Sequence, residues 1–306
     1  MRISRRTAML GGLAMLTGCS TGTYRGPERS VTIAAGESGG FYLAFAEVLA
    51  AELSRAEPRL KCKAVATEAS VANVQRVRDG QADLGLMSTD VAQAYAGQAR
   101  LLALGRVYEN YIQLVVRADD DIRTLADLAG RTVSLGAGGS GAAFLGERLL
   151  AKAGLNVDVR HLPLTEAIAA LRDRRISAQL WSGGIPTPAL AELHRTTPIR
   201  LIPLDGVLPG LRAEFGPGYD QVRVPAGAYQ GVGELPTIGV ANLLVSSPSL
   251  PEDVAAAVVG VLVGRAADLV PAQAIGTQFL DVRTLIGTGT VPLHPGAALT
   301  YRKLHG

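Results

Sequence analysis

Two short glycine-rich segments hold the residues of this chain best suited to chemistry. Gly36-Glu37-Ser38-Gly39-Gly40 fits the G-x-S-x-G elbow, in which a serine nucleophile stands on a sharp turn between strand and helix. Gly136-Ala137-Gly138-Gly139-Ser140-Gly141 fits G-x-G-x-x-G, a turn that brings backbone N–H groups to a dinucleotide pyrophosphate. Each pattern demands a partner. A serine hydrolase built on Ser38 needs a base, yet His161, His194 and His294 stand in no supporting motif, and the turn follows the first strand of the domain. A dinucleotide site wants an acid at the end of the next strand, whereas Asp158 lies near that strand's start. The chain therefore reads as a non-enzyme that needs no cofactor.

One physical reading serves both turns. Each places bare N–H groups at a helix N-terminus, where four donors lack helical partners and the dipole is positive. Ser88-Thr89-Asp90 is a third such terminus. Any single αβ turn looks like this, but three with clustered Gly and Ser suggest a receptor for a small carboxylate or similar anion. In a doubly wound sheet these ends gather at the carboxyl edge of the strands.

The elements that must position them follow from hydrophobic period. Residues 31–35 read as a strand, and residues 41–57 as a helix with Phe41, Phe45, Val48, Leu49 and Leu53 on one face. A strand at 60–66, a helix at 70–78 and a strand at 83–87 continue a parallel βαβ rhythm. After a strand at 111–116, Thr124 and Asp127 suit a capping box. A second series follows: strand 132–135, helix 140–153, strand 157–161, helix 165–173 and strand 177–181. A strand at 237–245 precedes a helix opened by Pro251-Glu252-Asp253. Residues 111–116 and 237–245 look like two crossings between lobes. One lobe would comprise 30–115 plus 243–306 and the other 116–242, closing by a hinge.

The N-terminus reads as an address label. Arg2, Arg5 and Arg6 precede an apolar stretch from Ala8 to Gly18, too short for a membrane-spanning helix of roughly 20 residues. Arg5-Arg6 has the form of a twin-arginine signal. Leu16-Thr17-Gly18-Cys19 resembles the bacterial lipoprotein cleavage box, which implies a signal peptide over 1–18, lipid on Cys19, and a polar tether over 19–29. Of 30 basic residues, three precede Cys19; the remaining 27 equal the 27 acids, so nucleic-acid binding loses its electrostatic motive. Cys62 is the one other cysteine, which excludes an intrachain disulfide once Cys19 is acylated. Its neighbours Lys61 and Lys63 could lower a thiol pKa, but a lone strand cysteine is ordinary packing.

Residues spread along the chain carry a family resemblance. Val31 to Tyr42 (VTIAAGESGGFY) resembles the opening of the TAXI receptors, the TRAP-associated extracytoplasmic immunogenic proteins. Thr67 to Asp90 is similar to that family's Gly-Ser-x-x-Asn, Gly-x-x-Asp and Ser-Asp-Val elements. Blocks at 133–141, 181–188, 225–229 and 293–297 follow in the same order. The resemblance implies an α/β, two-lobed type II periplasmic-binding-protein fold, exported to the periplasm or cell envelope. Its partner would be a TRAP permease driven by an ion gradient, and its ligand a dicarboxylate, oxo-acid or amino acid. Carried over by position, the ligand site comprises Gly39, Gly40, Tyr42, Ser70, Asn73, Ser88, Thr89, Asp90, Ser140, Gly141, Trp181 and Tyr229. Trp181 would equally suit a core position. Glu68 and Ala69 stand where glycine-rich residues are common, and Glu68 facing the cleft would repel a dianion and favour an amine-bearing or neutral ligand. Two other uses of the fold stay open: service to an ATP-driven importer, or to a sensor kinase.

Overall fold

The computed structural model describes residues 24–271 and 280–305; the expected signal peptide and Cys19 lie outside them. The first series runs β1 (Arg29–Ala34), α1 (Phe41–Ala56), β2 (Leu60–Val65), α2 (Ser70–Arg78), β3 (Leu84–Ser88) and α3 (Thr89–Ala99). β4 (Leu102–Arg117) leads into the second: β5 (Thr132–Ser134), α4 (Gly141–Ala153), β6 (Asp158–Arg160), α5 (Leu164–Arg172) and β7 (Ala178–Gly183). Then come α6 (Pro188–Thr196), β8 (Ile199–Ile202), α7 (Leu208–Phe215), β9 (Tyr219–Val224) and β10 (Leu235–Ser246). α8 (Glu252–Gly264), α9 (Val282–Leu285) and α10 (Pro295–His305) complete the described chain.

The α1 face is rotated slightly from the sequence reading. Tyr42, Phe45, Leu49 and Leu53 are buried, while Phe41 and Val48 are half-buried, so the tyrosine takes the inward seat. The Thr124–Asp127 capping box forms as expected, each side chain accepting the other residue's backbone N–H. Between 182 and 236 sequence periodicity assigns nothing, because eight prolines cut that stretch into short elements with few repeats each.

The two crossings are strands. β4 pairs antiparallel with β10 from Leu102↔Ser246 to Tyr111↔Gly239. Beyond Tyr111, β4 joins β7 and β8, while the first half of β10 joins β9 and its second half joins β3. The order β2-β1-β3-β10-β4-β7-β5-β6 thus spans two parallel series stitched by one antiparallel pair. α1, α8 and α10 cover one face of the first series, and α2 and α3 cover the other. Around β5 and β7, α4 and α7 pack on one side and α5 and α6 on the other. The N-terminal approach is docked: Tyr24 is buried against the first core, and its backbone N–H donates to Glu57 Oε2 at 3.0 Å.

A buried acid sits where the crossings meet. Glu109 on β4 lies against Gly239 of β10, where any side chain would collide with its carboxyl. Burial pushes Glu109 up to about 7, helped by the like charge of Asp220 and opposed by Arg106. Arg106 and Arg212 approach Asp220 at 3.5 and 3.8 Å. A raised folded-state pKa means that the native chain holds a proton the unfolded chain has lost, so this contribution is full below the unfolded value and disappears as pH rises through about 7. Relative to Glu109→Gln, the parent should therefore lose melting temperature between pH 5 and 8, by a few degrees for each kcal/mol involved. Parallel thermal melts of the two chains check this; superimposable pH profiles would contradict it.

Candidate ligand-binding site

The carboxyl ends of β1, β3, β5 and β7 bring the glycine turns of both lobes face to face. Between them lies a cavity of about 40 Å³, whose lining includes Glu37, Gly40, Tyr42, Ser70, Asn110, Ser140, Gly141, Trp181 and Ser182. Gly40, Phe41 and Trp181 also line an adjoining groove of about 280 Å³, walled by Leu43, Ala44, Pro186 and Pro188, with Gly39 at its edge.

Backbone and hydroxyl groups from opposite lobes lock together here. Gly139, in the turn before α4, accepts N–H bonds from Val71 (3.0 Å) and Ala72 (3.2 Å) in the first turn of α2. In return Glu37, in the turn before α1, accepts the Leu164 N–H at the start of α5 at 2.7 Å. Each lobe thus satisfies helix-terminal donors of the other. A Cβ on Gly141 would sit 2.8 Å from Ser70 Oγ and 2.9 Å from Ser88 Oγ, so glycine is what lets α4 approach this closely. Burial raises the Glu37 carboxyl; the Leu164 amide opposes that, and the charges of Glu68 and Glu166 add to it.

Local strain positions α2. Ala69 adopts φ 77°, ψ −140°, a region that favours glycine and costs a side-chain-bearing residue of order 1–3 kcal/mol. Thr67 Oγ1 compensates by accepting the Ala69 N–H at 3.1 Å and donating to Asn73 Oδ1 at 2.7 Å. The result turns Ser70 into the cleft, where its Oγ accepts Ser88 N–H at 3.0 Å and lies 3.3 Å from Tyr42 Oη.

The twelve expected site residues divide. Gly40, Tyr42, Ser70, Ser140, Gly141 and Trp181 line the cavity, and Gly39 the groove. Their donors are partly engaged: the Gly40 N–H donates to the Glu37 carbonyl at 3.0 Å, Tyr42 Oη donates to Asn242, and Ser140 Oγ caps α4 through Ala143 N–H at 3.0 Å. Trp181 is buried, with Nε1 donating to Thr187 Oγ1 at 3.0 Å, and the residue lines both cavity and groove.

The other five lie outside these walls. Asn73 is fully buried and donates to the carbonyls of Ala35 and Leu86, tying β1 to β3. Thr89 Oγ1 donates to the Ala241 carbonyl. Ser88 sits behind Ser70, facing Gly141. Asp90 is buried, its carboxyl raised by burial and steadied by Ser88 and Arg148; it accepts Tyr219 Oη at 3.2 Å across the lobes. Tyr229 accepts the Thr187 N–H and donates to Gln113 Oε1, and burial pushes its phenol up to about 12.

Sequence reasoning passed over Asn110 and Ser182. Asn110 Nδ2 donates to Ser182 Oγ at 3.1 Å, and Asn110 Oδ1 is buried with no partner among the described residues. Asn110 stands one residue before the strand expected at 111–116, and an amide at that edge was the available signal.

The competing chemistries find little support in this geometry. Ser38 is exposed on its turn, and His194 and His294 are bonded to backbone groups of Gln230, Ile199, Leu250 and Gly296. The 136–141 loop is filled by α2 of the facing lobe, and Asp158 pairs with Arg160 and Thr132. Burial pushes the Cys62 thiol up to about 11, the opposite of an activated cysteine.

The lobe contact makes a direct prediction. Gly141→Val should place methyls against Ser70 and Ser88 and oppose closure by about 1–3 kcal/mol. Solution scattering should then give a larger radius of gyration than the parent, with an unchanged circular dichroism spectrum; equal radii would mean that the Gly141 contact does not limit closure.

The sequence model of the NMT1-like family matches residues 33–303. Among solved structures, a protein of Bordetella bronchiseptica RB50 aligns with a TM-score of 0.59 at 16% identity, covering 92% of this chain and all (100%) of that one. A mutant of ArgBP from T. maritima aligns with a TM-score of 0.52 at 14% identity, over 78% of this chain and 91% of that one. The alkanesulfonate-binding protein SsuA of Xanthomonas axonopodis pv. citri, bound to MOPS, gives 0.48 at 20% identity, over 90% of this chain and 84% of that one. At these identities the likeness concerns the fold, which is the two-lobed type II periplasmic-binding-protein fold.

Proposed function

The chain belongs to the NMT1-like family, and from that premise we propose that it is an extracytoplasmic solute receptor that closes its two lobes on a small organic anion or amino acid. The observation that carries this reading is the cavity between the lobes, walled by the turns before α1 and α4 and by the crossing strand β4. Ligands of such a site bind only the folded chain and draw on residues that hinge closure brings together. The finer identity follows the sequence resemblance: a TAXI receptor, held to the membrane by lipid on Cys19 and delivering its ligand to a TRAP permease driven by an ion gradient. The lobes are then residues 30–115 with 243–306, and 116–242.

A thermal-shift screen of dicarboxylates, oxo-acids and amino acids tests the receptor reading. A true ligand at a hundredfold excess over its dissociation constant adds about 2.7 kcal/mol of stability. A clear rise with at least one compound is expected; silence across the whole screen would count against a receptor for solutes of this kind. The same preparation, reconstituted with its permease in vesicles, should support uptake under an ion gradient without ATP. A requirement for ATP would move the chain to the other transport class.

A further inference from the structure

The cavity and its adjoining groove differ in chemistry, and the difference bears on what the receptor takes. At the cavity end a carboxylate and an amide oxygen stand among hydroxyls and beside the N-terminus of α4. Glu37 lines the cavity, Asn110 Oδ1 is unpartnered among the described residues with the side chain 2% exposed, and the hydroxyls of Ser70, Ser140 and Ser182 surround them. Glu68 and Glu166 lie close enough to act on the Glu37 charge. Among the described residues the cavity lining contains no Lys, Arg or His. A solute whose charges are all carboxylates would face Glu37 with no counter-cation in the lining, whereas an amino acid sets its ammonium against the Glu37 carboxylate and the Asn110 amide oxygen and can turn its own carboxylate to the N-terminus of α4 at Gly141.

At the groove end the walls are apolar: Phe41, Leu43, Ala44, Trp181, Pro186 and Pro188, with exposed Glu47 at the rim. The cavity, at about 40 Å³, holds only a few heavy atoms, and the groove, at about 280 Å³, has room for a side chain of amino-acid size. We propose that the site selects a solute bearing a primary ammonium group next to an apolar tail, the ammonium held by Glu37 and Asn110 and the tail by the groove. This rests on the receptor reading and narrows it, away from a dicarboxylate and toward an apolar amino acid. Asn110 becomes a specificity residue carried on the crossing strand, so engaging it couples ligand to hinge.

Isothermal titration of the full mature chain tests this with L-leucine, L-phenylalanine, succinate and 4-methylpentanoate, the last keeping leucine's tail and carboxylate without its ammonium. Leucine or phenylalanine should bind, and 4-methylpentanoate at least about tenfold more weakly than leucine. Glu37→Gln retains an acceptor for the Leu164 amide and removes the charge; it should weaken amino-acid binding about tenfold while leaving the ligand-free melting temperature near that of the parent. Asn110→Asp keeps an acceptor and should retain binding. Equal affinity for leucine and 4-methylpentanoate overturns the proposal, as does loss of amino-acid binding in Asn110→Asp, where the amide would have been donating to an anion. Succinate binding with both amino acids silent overturns it too and leaves the receptor reading standing. Silence toward all four overturns the proposal, and the wider thermal-shift screen then judges the receptor reading separately.

Discussion

The β4–β10 ladder is the constraint on which the rest of the molecule depends. A strand of 16 residues spans roughly 50 Å, longer than the 35–40 Å expected across a lobe of about 140 residues. It therefore runs through both lobes, and β10, antiparallel to it, does the same in reverse. With two crossings side by side, the lobes can bend about the ladder yet are held against sliding past each other. Register shifts between Asn242 and Leu243 and between Leu244 and Val245 twist the ladder where β10 passes from β9 to β3. Glu109, wedged against Gly239, lies in the same zone and links hinge geometry to protonation.

Given that frame, the cleft chemistry follows from unsatisfied helix ends. Parallel βα units direct helix N-termini toward the carboxyl edge of the sheet, and the ladder makes the two edges face one another. The donors then find partners across the gap: Val71 and Ala72 on Gly139, and Leu164 on Glu37. A hydrogen bond to a charged group contributes about 1.5–3 kcal/mol, so a few such contacts hold closure near balance. Shifting a two-state equilibrium from one extreme to the other takes about 5.5 kcal/mol of differential binding, within reach of a small solute that touches both lobes.

Much of this was legible in the sequence, and the failures have physical causes. Elements of the first βαβ series emerged from period and glycine punctuation because α1 has one buried face and the strands are short, β3 being buried throughout. β4 was read as six residues of strand, since its first half carries Arg106, Glu109 and Asn110, polar groups that belong to hinge and site rather than to a sheet face. Asn73 and Tyr229, expected at the ligand, line neither the cavity nor the groove; one ties strand ends and the other ties Thr187 to Gln113. Which side chains of a motif block point into the cavity depends on hydrogen bonds that span distant segments.

Capture by this fold requires the two lobes to close on a solute about the β4–β10 hinge. Spin labels at Gln81 and Glu166, both exposed and on opposite lobes, in a Cys19→Ser, Cys62→Ser background, allow the interlobe distance to be measured by pulsed dipolar spectroscopy. With a solute whose binding is established by titration, the distance distribution should shift to a shorter, narrower one as the solute saturates. A distribution that stays the same at saturation would contradict closure as the mechanism of capture.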